Sequence, residues 1–311
     1  MGPGREEMAV VGRPFEQRVA GAPISWGVCE VPGWGLELPR ERVLQEMAEL
    51  GLQATELGAI GYLPEDPAAL RELLGRHELQ LIGGFVPVVL HDPALRSRSL
   101  QEAAATADRL RDGGAELFVS TVVVDPDWSP PIELDVSGWR ELLDGLAQLT
   151  RIVDDHGLVH VLHPHVGTLV EREVEVRRVL EESEVDFCLD SGHLVIGGTD
   201  PVRFAVDAGP RVRHAHLKDV DAGVADRFNA GELSLVEAVQ QGLFVRLGEG
   251  VAEVDRTVEV LEAAGFDGWY VLEQDVALTG AAPPVGSGPV DDVRWNMEHL
   301  RRTLASTTDG A

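Results

Sequence analysis

The chain has 311 residues, of which 44% are hydrophobic and 25% charged, an ordinary globular composition with ample material for a large core. Acidic residues (53) outnumber Lys and Arg (26), and the formal net charge of -27 argues against nucleic acid and anionic membranes as partners. No apolar run is long enough for a membrane span, the polar, glycine-rich start is unlike a secretory signal, and Cys29 and Cys188 form no CxxC pair. We therefore expect an acidic protein of the cytoplasm.

Short apolar runs alternate with helical patterns along the whole chain, in repeated units of strand, turn and helix. The eight predicted strands are Pro23–Val28, Leu52–Gly58, Leu79–Leu90, Ala115–Val124, Leu158–His163, Val185–Asp190, Val212–Lys218 and Gly268–Gln274. Predicted helices between them include Pro39–Leu50, Pro67–Glu78, Ser99–Asp112, Trp139–His156 and Asp255–Ala264, and several of these stop at a glycine.

This alternation predicts parallel pairing with right-handed crossovers in an α/β protein. We prefer a single (β/α)8 TIM barrel to an open doubly wound sheet, because there are eight strands and no GxGxxG follows the first. Residues 1–21 are expected to be a flexible N-terminal segment, 22–306 the barrel domain and 307–311 a tail. Residues 219–253 form an insertion after the seventh strand, interpreted as a lid or a subunit contact.

Polar side chains concentrate at the carboxyl ends of the predicted strands, where TIM barrels carry their chemistry. Six of the ten histidines fall between His160 and His216. Side-chain alternation places His214, His216 and Lys218 on one face of the seventh strand. The residues at or just after strand ends are Glu56, His163, His165, Asp190, His193, His216, Lys218 and Glu273.

Four of these residues are predicted to converge at the barrel mouth as metal ligands: His163, Asp190, His216 and Glu273. An oxygen and nitrogen donor set without sulfur suits Mn²⁺, Co²⁺, Mg²⁺ or Zn²⁺. A single Asp at a strand end is more often a helix cap, but four such residues on neighbouring strands favour a metal site. His160 and His214 are interpreted as core residues or as residues that orient a ligand.

The motifs APISWG, HPHVGT, LDSGHL, HAHLKDV and LSLVEAVQQGLFVRLGEG resemble the xylose isomerase-like TIM barrels, a superfamily of sugar isomerases, epimerases and dehydratases. The resemblance covers about Ala22 to Leu304, and the first and last motifs point to its inosose dehydratase branch. It implies metal ligands at Asp190, His216 and Glu273. Many members have Glu where this chain has His163, which leaves His163, His165 or Glu171 as the fourth ligand.

The resemblance implies a metal-dependent lyase that dehydrates a cyclic polyol ketone such as 2-keto-myo-inositol through a metal-stabilised enolate, with Mn²⁺ or Co²⁺ preferred. The same apparatus would serve a sugar or keto-sugar isomerase or epimerase, which is the alternative. Candidates for the base are His193, placed first, Glu56 and Glu273, while Lys218 assists the departing hydroxide.

Three residues are named as substrate contacts: His165, Lys218 and Trp26. For Trp26, as for Trp34, both ordinary apolar packing and stacking on a sugar-like ring are open. The expected partner is a small polyol or sugar. Dimers and tetramers are common in the resembled family, so a homo-oligomer is a further expectation. DNA repair by the endonuclease branch is disfavoured by the charge of -27.

Overall fold

The structure, a computed structural model, describes residues 13–308, without the side chains of residues 16 and 306–308. Its strands are β1 (Val19–Gly21), β2 (Ala54–Glu56), β3 (Gln80–Gly83), β4 (Phe85–Val88), β5 (Leu117–Val122), β6 (Val159–Leu162), β7 (Asp186–Asp190), β8 (Val212–Leu217), β9 (Asp219–Val220), β10 (Phe244–Val245) and β11 (Trp269–Leu272). Its α-helices are α1 (Arg40–Glu49), α2 (Pro67–Arg76), α3 (Pro93–Gly113), α4 (Val136–Asp155), α5 (Glu173–Glu182), α6 (Ser191–Ile196), α7 (Pro201–Ala208), α8 (Ala222–Asn229), α9 (Leu235–Gln240), α10 (Val254–Ala263) and α11 (Pro289–Thr308).

Nine parallel strands form one sheet, in the order β3, β2, β1, β11, β8, β7, β6, β5, β4. The two strands at its ends, β3 and β4, are successive parts of one predicted strand that is interrupted at Gly84. The sheet closes there, because Ile82 O accepts a hydrogen bond from Glu116 N and Gly84 O accepts one from Val119 N. The predicted TIM barrel is therefore confirmed, and one of its eight predicted strands is divided into β3 and β4.

The first strand lies earlier in the chain than predicted. β1 is Val19–Gly21 and pairs with β2 and β11, whereas Pro23–Trp26, inside the predicted strand Pro23–Val28, is a 3-10 helix. Pro23 has no N–H to donate to a strand ladder, and Gly27 ends the turn with a left-handed φ of 85°. This local chemistry outweighs the apolar pattern on which the prediction rested.

The predicted domain boundaries are corrected accordingly. Residues 18–21 belong to the barrel and not to a flexible segment, and the Arg18 guanidinium is buried against the Glu262 carboxylate of α10 at 2.8 Å. At the other end, α11 passes the predicted boundary at residue 306 and reaches Thr308. Residues 1–12 and 309–311 lie outside the described part of the chain. Within residues 13–308, no helix is both long and apolar enough to cross a lipid bilayer.

The barrel interior is apolar at its lower level and polar at its carboxyl end. Val161, Cys188 and Val271 belong to one buried cluster inside the barrel. Because side chains alternate along a strand, the residues two positions later point in the same direction. Those residues are His163, Asp190 and Glu273, so the strands carry these polar groups directly above the apolar layer.

The segment 219–253 folds over the carboxyl end of the barrel. Strands β9 and β10 form a small antiparallel sheet, and helices α8 and α9 lie between them in the chain. Apolar side chains of this segment form a buried cluster with residues of the barrel loops. Its members include Trp34, Val166, Ile196, Val220, Ala238, Leu243 and Phe244.

A single carboxylate joins the two ends of this segment. Asp219 accepts hydrogen bonds from the N–H groups of Gly248, Gly250 and Ala252, each at 2.9 Å. A Cβ atom on Gly250 would lie 2.3 Å from Asp219 Oδ1, so only glycine fits there. The LGEG motif thus wraps a backbone loop around the residue that follows Lys218.

Candidate active site

The two carboxylate oxygens of Asp190 have different partners: one caps a helix and the other faces the barrel mouth. Oδ1 accepts a hydrogen bond from the backbone N–H of His193 at 2.8 Å and so caps helix α6. Oδ2 faces the barrel axis, 3.2 Å from His163 Nε2 and 3.6 Å from His216 Nδ1. Asp190 therefore caps a helix and also faces the polar side chains at the barrel mouth.

Glu56 orients two histidines of β8 from across the barrel. Its Oε1 accepts hydrogen bonds from His214 Nε2 at 2.8 Å and from His216 Nε2 at 3.0 Å. Burial opposes ionisation, but the two imidazoles outweigh it and hold the pKa of Glu56 below its usual range. Glu56 was one of the candidates for the catalytic base, but a carboxylate that binds two histidines is unsuited to this role.

Glu56 binds the Nε2 atom of His216, so the Nδ1 atom of this ring faces the carboxylates of the mouth. Burial disfavours a charge on this ring, but Cys188, Glu273 and Glu56 raise the pKa of His216 well above its ordinary value, and a bound cation would replace the proton on Nδ1. This atom lies 2.9 Å from Glu273 Oε2, yet it is buried and makes no well-formed hydrogen bond to any described residue. Donor atoms of Asp190, His216 and Glu273 all lie within 4.8 Å of one another. An imidazole nitrogen and two carboxylates converging in this way fit a divalent cation.

Of the three residues considered for a fourth ligand, only His163 faces this group. Its Nε2 atom is 3.2 Å from Asp190, and its ring centroid is 5.0 Å from that of His216. Glu171 instead accepts a hydrogen bond from Gly167 N at 2.9 Å, and His165 binds the backbone of Val166.

Lys218 is fully buried among three carboxylates. Its Nζ atom lies 2.7 Å from Asp275 Oδ1, 2.9 Å from Glu273 Oε1 and 3.5 Å from Asp190 Oδ2. Burial disfavours the charge, but these carboxylates raise the pKa of Lys218 well above its ordinary value. A Cβ on Gly192 would lie 2.8 Å from the Lys218 side chain, which explains the glycine of the LDSGHL motif.

Asp275 was missed by the sequence interpretation. Burial raises the pKa of its carboxyl to about 6, although Lys218 acts in the opposite direction. Its position in the sequence could have revealed it, because Asp275 lies two residues after Glu273. In an extended chain, side chains two residues apart point to the same side.

His165 and His193 stack with ring centroids 3.8 Å apart, and both bind backbone atoms of Val166. His165 Nδ1 donates to Val166 O at 2.7 Å, whereas His193 Nδ1 accepts from Val166 N at 3.3 Å. The lone pair of His165 is therefore on Nε2, and the hydrogen of His193 is on its Nε2. Burial lowers the pKa of His165 to about 3 and that of His193 well below its ordinary value, so both are neutral near pH 7.

Neither Trp26 nor Trp34 exposes its ring at the barrel mouth. Trp26 is completely buried, and its indole N–H donates to Glu46 on α1 at 2.8 Å, so the expectation that it stacks on substrate is wrong. It packs between barrel and helix because β1 ends before it. Trp34 is buried in the cluster over the mouth and donates to Val276 O at 2.8 Å.

Different aromatic residues surround the site. The ring of Phe85 lies 5.7 Å from that of His163, the ring of Trp128 lies 6.0 Å from that of His165, and Lys218 Nζ lies 4.8 Å from the ring centre of Phe244. Sequence reasoning missed them, because the break at Gly84 was not foreseen and loop residues carry no periodic signal.

Comparison with known proteins places the chain in a family. Residues 44–303 match the family model described as "Xylose isomerase-like TIM barrel". The chain belongs to the xylose isomerase-like TIM barrel family. The resemblance noted from its motifs is thereby confirmed.

Within this family, the chain is similar to an inosose dehydratase of Geobacillus kaustophilus (strain HTA426), with 32% identity over 279 residues that cover 85% of this chain and 89% of the relative. Two solved structures share the fold. One is a probable 3-DHS dehydratase from Bacillus anthracis, with a TM-score of 0.66, 15% identity and coverage of 91% of this chain and 98% of that chain. The other is a D-tagatose 3-epimerase-like protein, with a TM-score of 0.67, 16% identity and coverage of 94% and 99%.

Proposed function

We propose that this protein is an enzyme that removes water from a cyclic polyol ketone, with 2-keto-myo-inositol as the candidate substrate. The observation that carries the proposal is the group of Asp190, His216 and Glu273 around one buried, unpaired nitrogen. The similarity to an inosose dehydratase over most of both chains supports this choice of substrate.

Asp190, His216 and Glu273 would hold a divalent ion, with His163 as fourth ligand and Mn²⁺ or Co²⁺ as the preferred metals. When bound, such an ion supplies a Lewis acid that stabilises negative charge on the carbonyl oxygen of the substrate. Glu56 keeps the Nδ1 lone pair of His216 directed at the ion by holding the hydrogen on Nε2.

His165 is our candidate for the base. Its Nδ1 hydrogen is donated to Val166 O, and no described residue hydrogen-bonds its Nε2 lone pair, which can accept the proton from the carbon next to the ketone. This replaces the preference for His193. Glu273 is less suited, because its oxygens already face Lys218 and His216.

His193 is our candidate for the proton donor. Val166 N donates to its Nδ1 atom, so the hydrogen of His193 is on Nε2. This atom lies 3.3 Å from Nζ of Lys218, whose charge is also close to three carboxylates. The electron pair of the broken C–H bond forms a C=C bond, and the β-hydroxyl leaves as water with the proton from His193. The Lys218 ammonium, 3.3 Å away, balances the negative charge of the imidazolate left on His193 until the proton that His165 took up returns to it through solvent. The enol that remains rearranges to a dione.

The test is incubation of the purified protein and Mn²⁺ with scyllo-inosose, the cyclic ketone, while the absorbance of the conjugated dione is followed. In D2O, His165→Gln should abolish exchange of the proton next to the ketone, because the base is missing. His193→Gln should retain this exchange and lose dione formation. Exchange in His165→Gln at the wild-type rate would refute the assignment of the base.

An isomerase or epimerase needs the same first step and no departing hydroxyl. Conversion of a ketohexose to its epimer, with no dione from scyllo-inosose, would favour this alternative. The cytoplasmic location and a homo-oligomeric state stay predictions.

A further inference from the structure

Trp128 holds a backbone conformation that a bulky residue rarely adopts. Its φ is 56°, in the left-handed region, and its side chain is 42% exposed. Such a conformation costs free energy and persists only where the surrounding structure imposes it, often at a ligand site.

The loop between β5 and α4 imposes this conformation through Asp125. One carboxylate oxygen of Asp125 accepts hydrogen bonds from Asp127 N at 3.0 Å and Ser129 N at 3.1 Å, and its carbonyl accepts one from Trp128 N at 3.1 Å. Hydrogen bonds at and on both sides of Trp128 therefore hold the backbone that carries the exposed indole.

The indole of Trp128 belongs to a row of aromatic and imidazole rings that extends to the candidate metal ligand His163. Trp128 is stacked on Phe85, with centroids 6.3 Å apart and planes inclined by 23°, and it meets the His165 ring edge-on at 6.0 Å. Phe85 in turn contacts His163, and His165 stacks on His193. An exposed apolar surface thus lies beside the proposed base, while the opposite side of the mouth is charged.

We propose that Trp128, together with Phe85, binds one face of a six-membered carbocyclic ring and makes the site selective for cyclic over open-chain polyols. The proposal rests on the function proposed above. The C–H groups on one face of such a ring form an apolar surface, which an aromatic ring covers well, whereas an extended polyol chain presents no flat face. Hydroxyl groups at the ring edge remain free to meet the histidines and Lys218.

The test uses myo-inositol and sorbitol, a cyclic and a linear polyol with the same number of carbons and hydroxyls, as unreactive probes in buffer with Mn²⁺. Trp128→Gly removes the ring and accepts the left-handed backbone, so the loop should keep its shape. By calorimetry, we expect myo-inositol to bind this variant about tenfold more weakly than the wild type, with Trp128→Phe close to wild type. Binding of sorbitol should be the same in all three proteins.

Trp295 on α11 provides a matched control, since its side chain is 37% exposed and its indole donates to Leu247 O. Addition of myo-inositol should change tryptophan emission in the wild type and in Trp295→Phe, but not in Trp128→Phe. Equal affinity of Trp128→Gly and wild type for myo-inositol would overturn the proposal, as would wild-type binding no tighter than that of sorbitol. Trp128-dependent binding without any dione from scyllo-inosose would instead refute only the proposed reaction.

Discussion

Two buried groups of charged residues in this barrel differ in how completely their polar atoms are paired. In the first, between barrel and helix layer, Glu46 accepts hydrogen bonds from Trp26, Arg42 and Gly286 at 2.8–2.9 Å. We call this the helix cluster. Arg42 also donates to the carbonyls of Pro283, Pro284 and Ser287, so it holds the loop after β11 against α1.

The second group, the mouth cluster, comprises Asp190, His216, Lys218, Glu273 and Asp275. It contains three carboxylates and a single lysine, and the Nδ1 atom of His216 has no hydrogen-bond partner among the described residues. A closed network contributes stability, because every charge has a fixed partner, whereas an incomplete one retains donor atoms for a ligand. Substitutions should therefore affect stability in the first cluster and binding in the second.

The largest effect is expected for Asp190→Asn in the mouth cluster. The amide oxygen can still cap α6, but the negative charge facing the cation is lost. Because changes to residues behind metal ligands already cost 10–100-fold in affinity, we expect binding of Mn²⁺ to weaken by at least about 1,000-fold, measured by calorimetry. Addition of Mn²⁺ should raise the unfolding temperature of the wild type and leave that of the variant unchanged. Equal Mn²⁺ affinity in both proteins would remove Asp190 from the ligand set.

Glu46→Gln in the helix cluster should show the opposite pattern. The Arg42 side chain is only 10% exposed, and breaking a buried ion pair typically costs several kcal/mol, so we expect the free energy of unfolding to fall by about 3 kcal/mol. Urea denaturation measures this change, and Mn²⁺ affinity should not change.

The control is Glu41→Gln on the same helix, where the side chain is 69% exposed and 3.9 Å from Arg40. Its expected effect is below about 0.5 kcal/mol. If both variants lost the same stability, the helix cluster would not be the stabilising element that we infer.

Apart from the Glu41 control, the smallest effect is expected for Glu56→Gln, which neither removes a ligand nor breaks a pair with a permanent cation. The amide is a weaker partner for the two histidines and orients His216 less strictly, so Mn²⁺ affinity should fall about 10–100-fold. His160→Gln is the comparison, because His160 binds Ser120 and Thr150 away from the mouth. This variant should lose stability and keep its affinity for Mn²⁺; the reverse result would contradict the role given to Glu56.

The sequence predicted the features that depend on periodicity. Alternation along β6, β7, β8 and β11 correctly directed His163, Asp190, His216 and Glu273 to one end of the barrel, because each lies two residues after a side chain that faces the interior. The shift of β1 could not be predicted from apolar residues alone, since Pro23 and Gly27 determine where the ladder stops.

Features that depend on contacts between distant parts of the chain could not be predicted from the periodicity of apolar residues. Trp26 and Trp128 are both tryptophans in glycine- or proline-rich surroundings, yet one is enclosed by α1 and the other is exposed beside the site. Only the path of the chain through space distinguishes them. The pairing of Val166 with two histidines is equally invisible in sequence, because it uses backbone atoms.

The hydrogen bonds from Gly248, Gly250 and Ala252 to Asp219 join the last part of the covering segment to its first residue. Separating the two ends of the segment 219–253 would leave three amide groups and a carboxylate without partners at once, a cooperative loss of hydrogen bonds. The segment is therefore closed at its base, at the residue that directly follows Lys218.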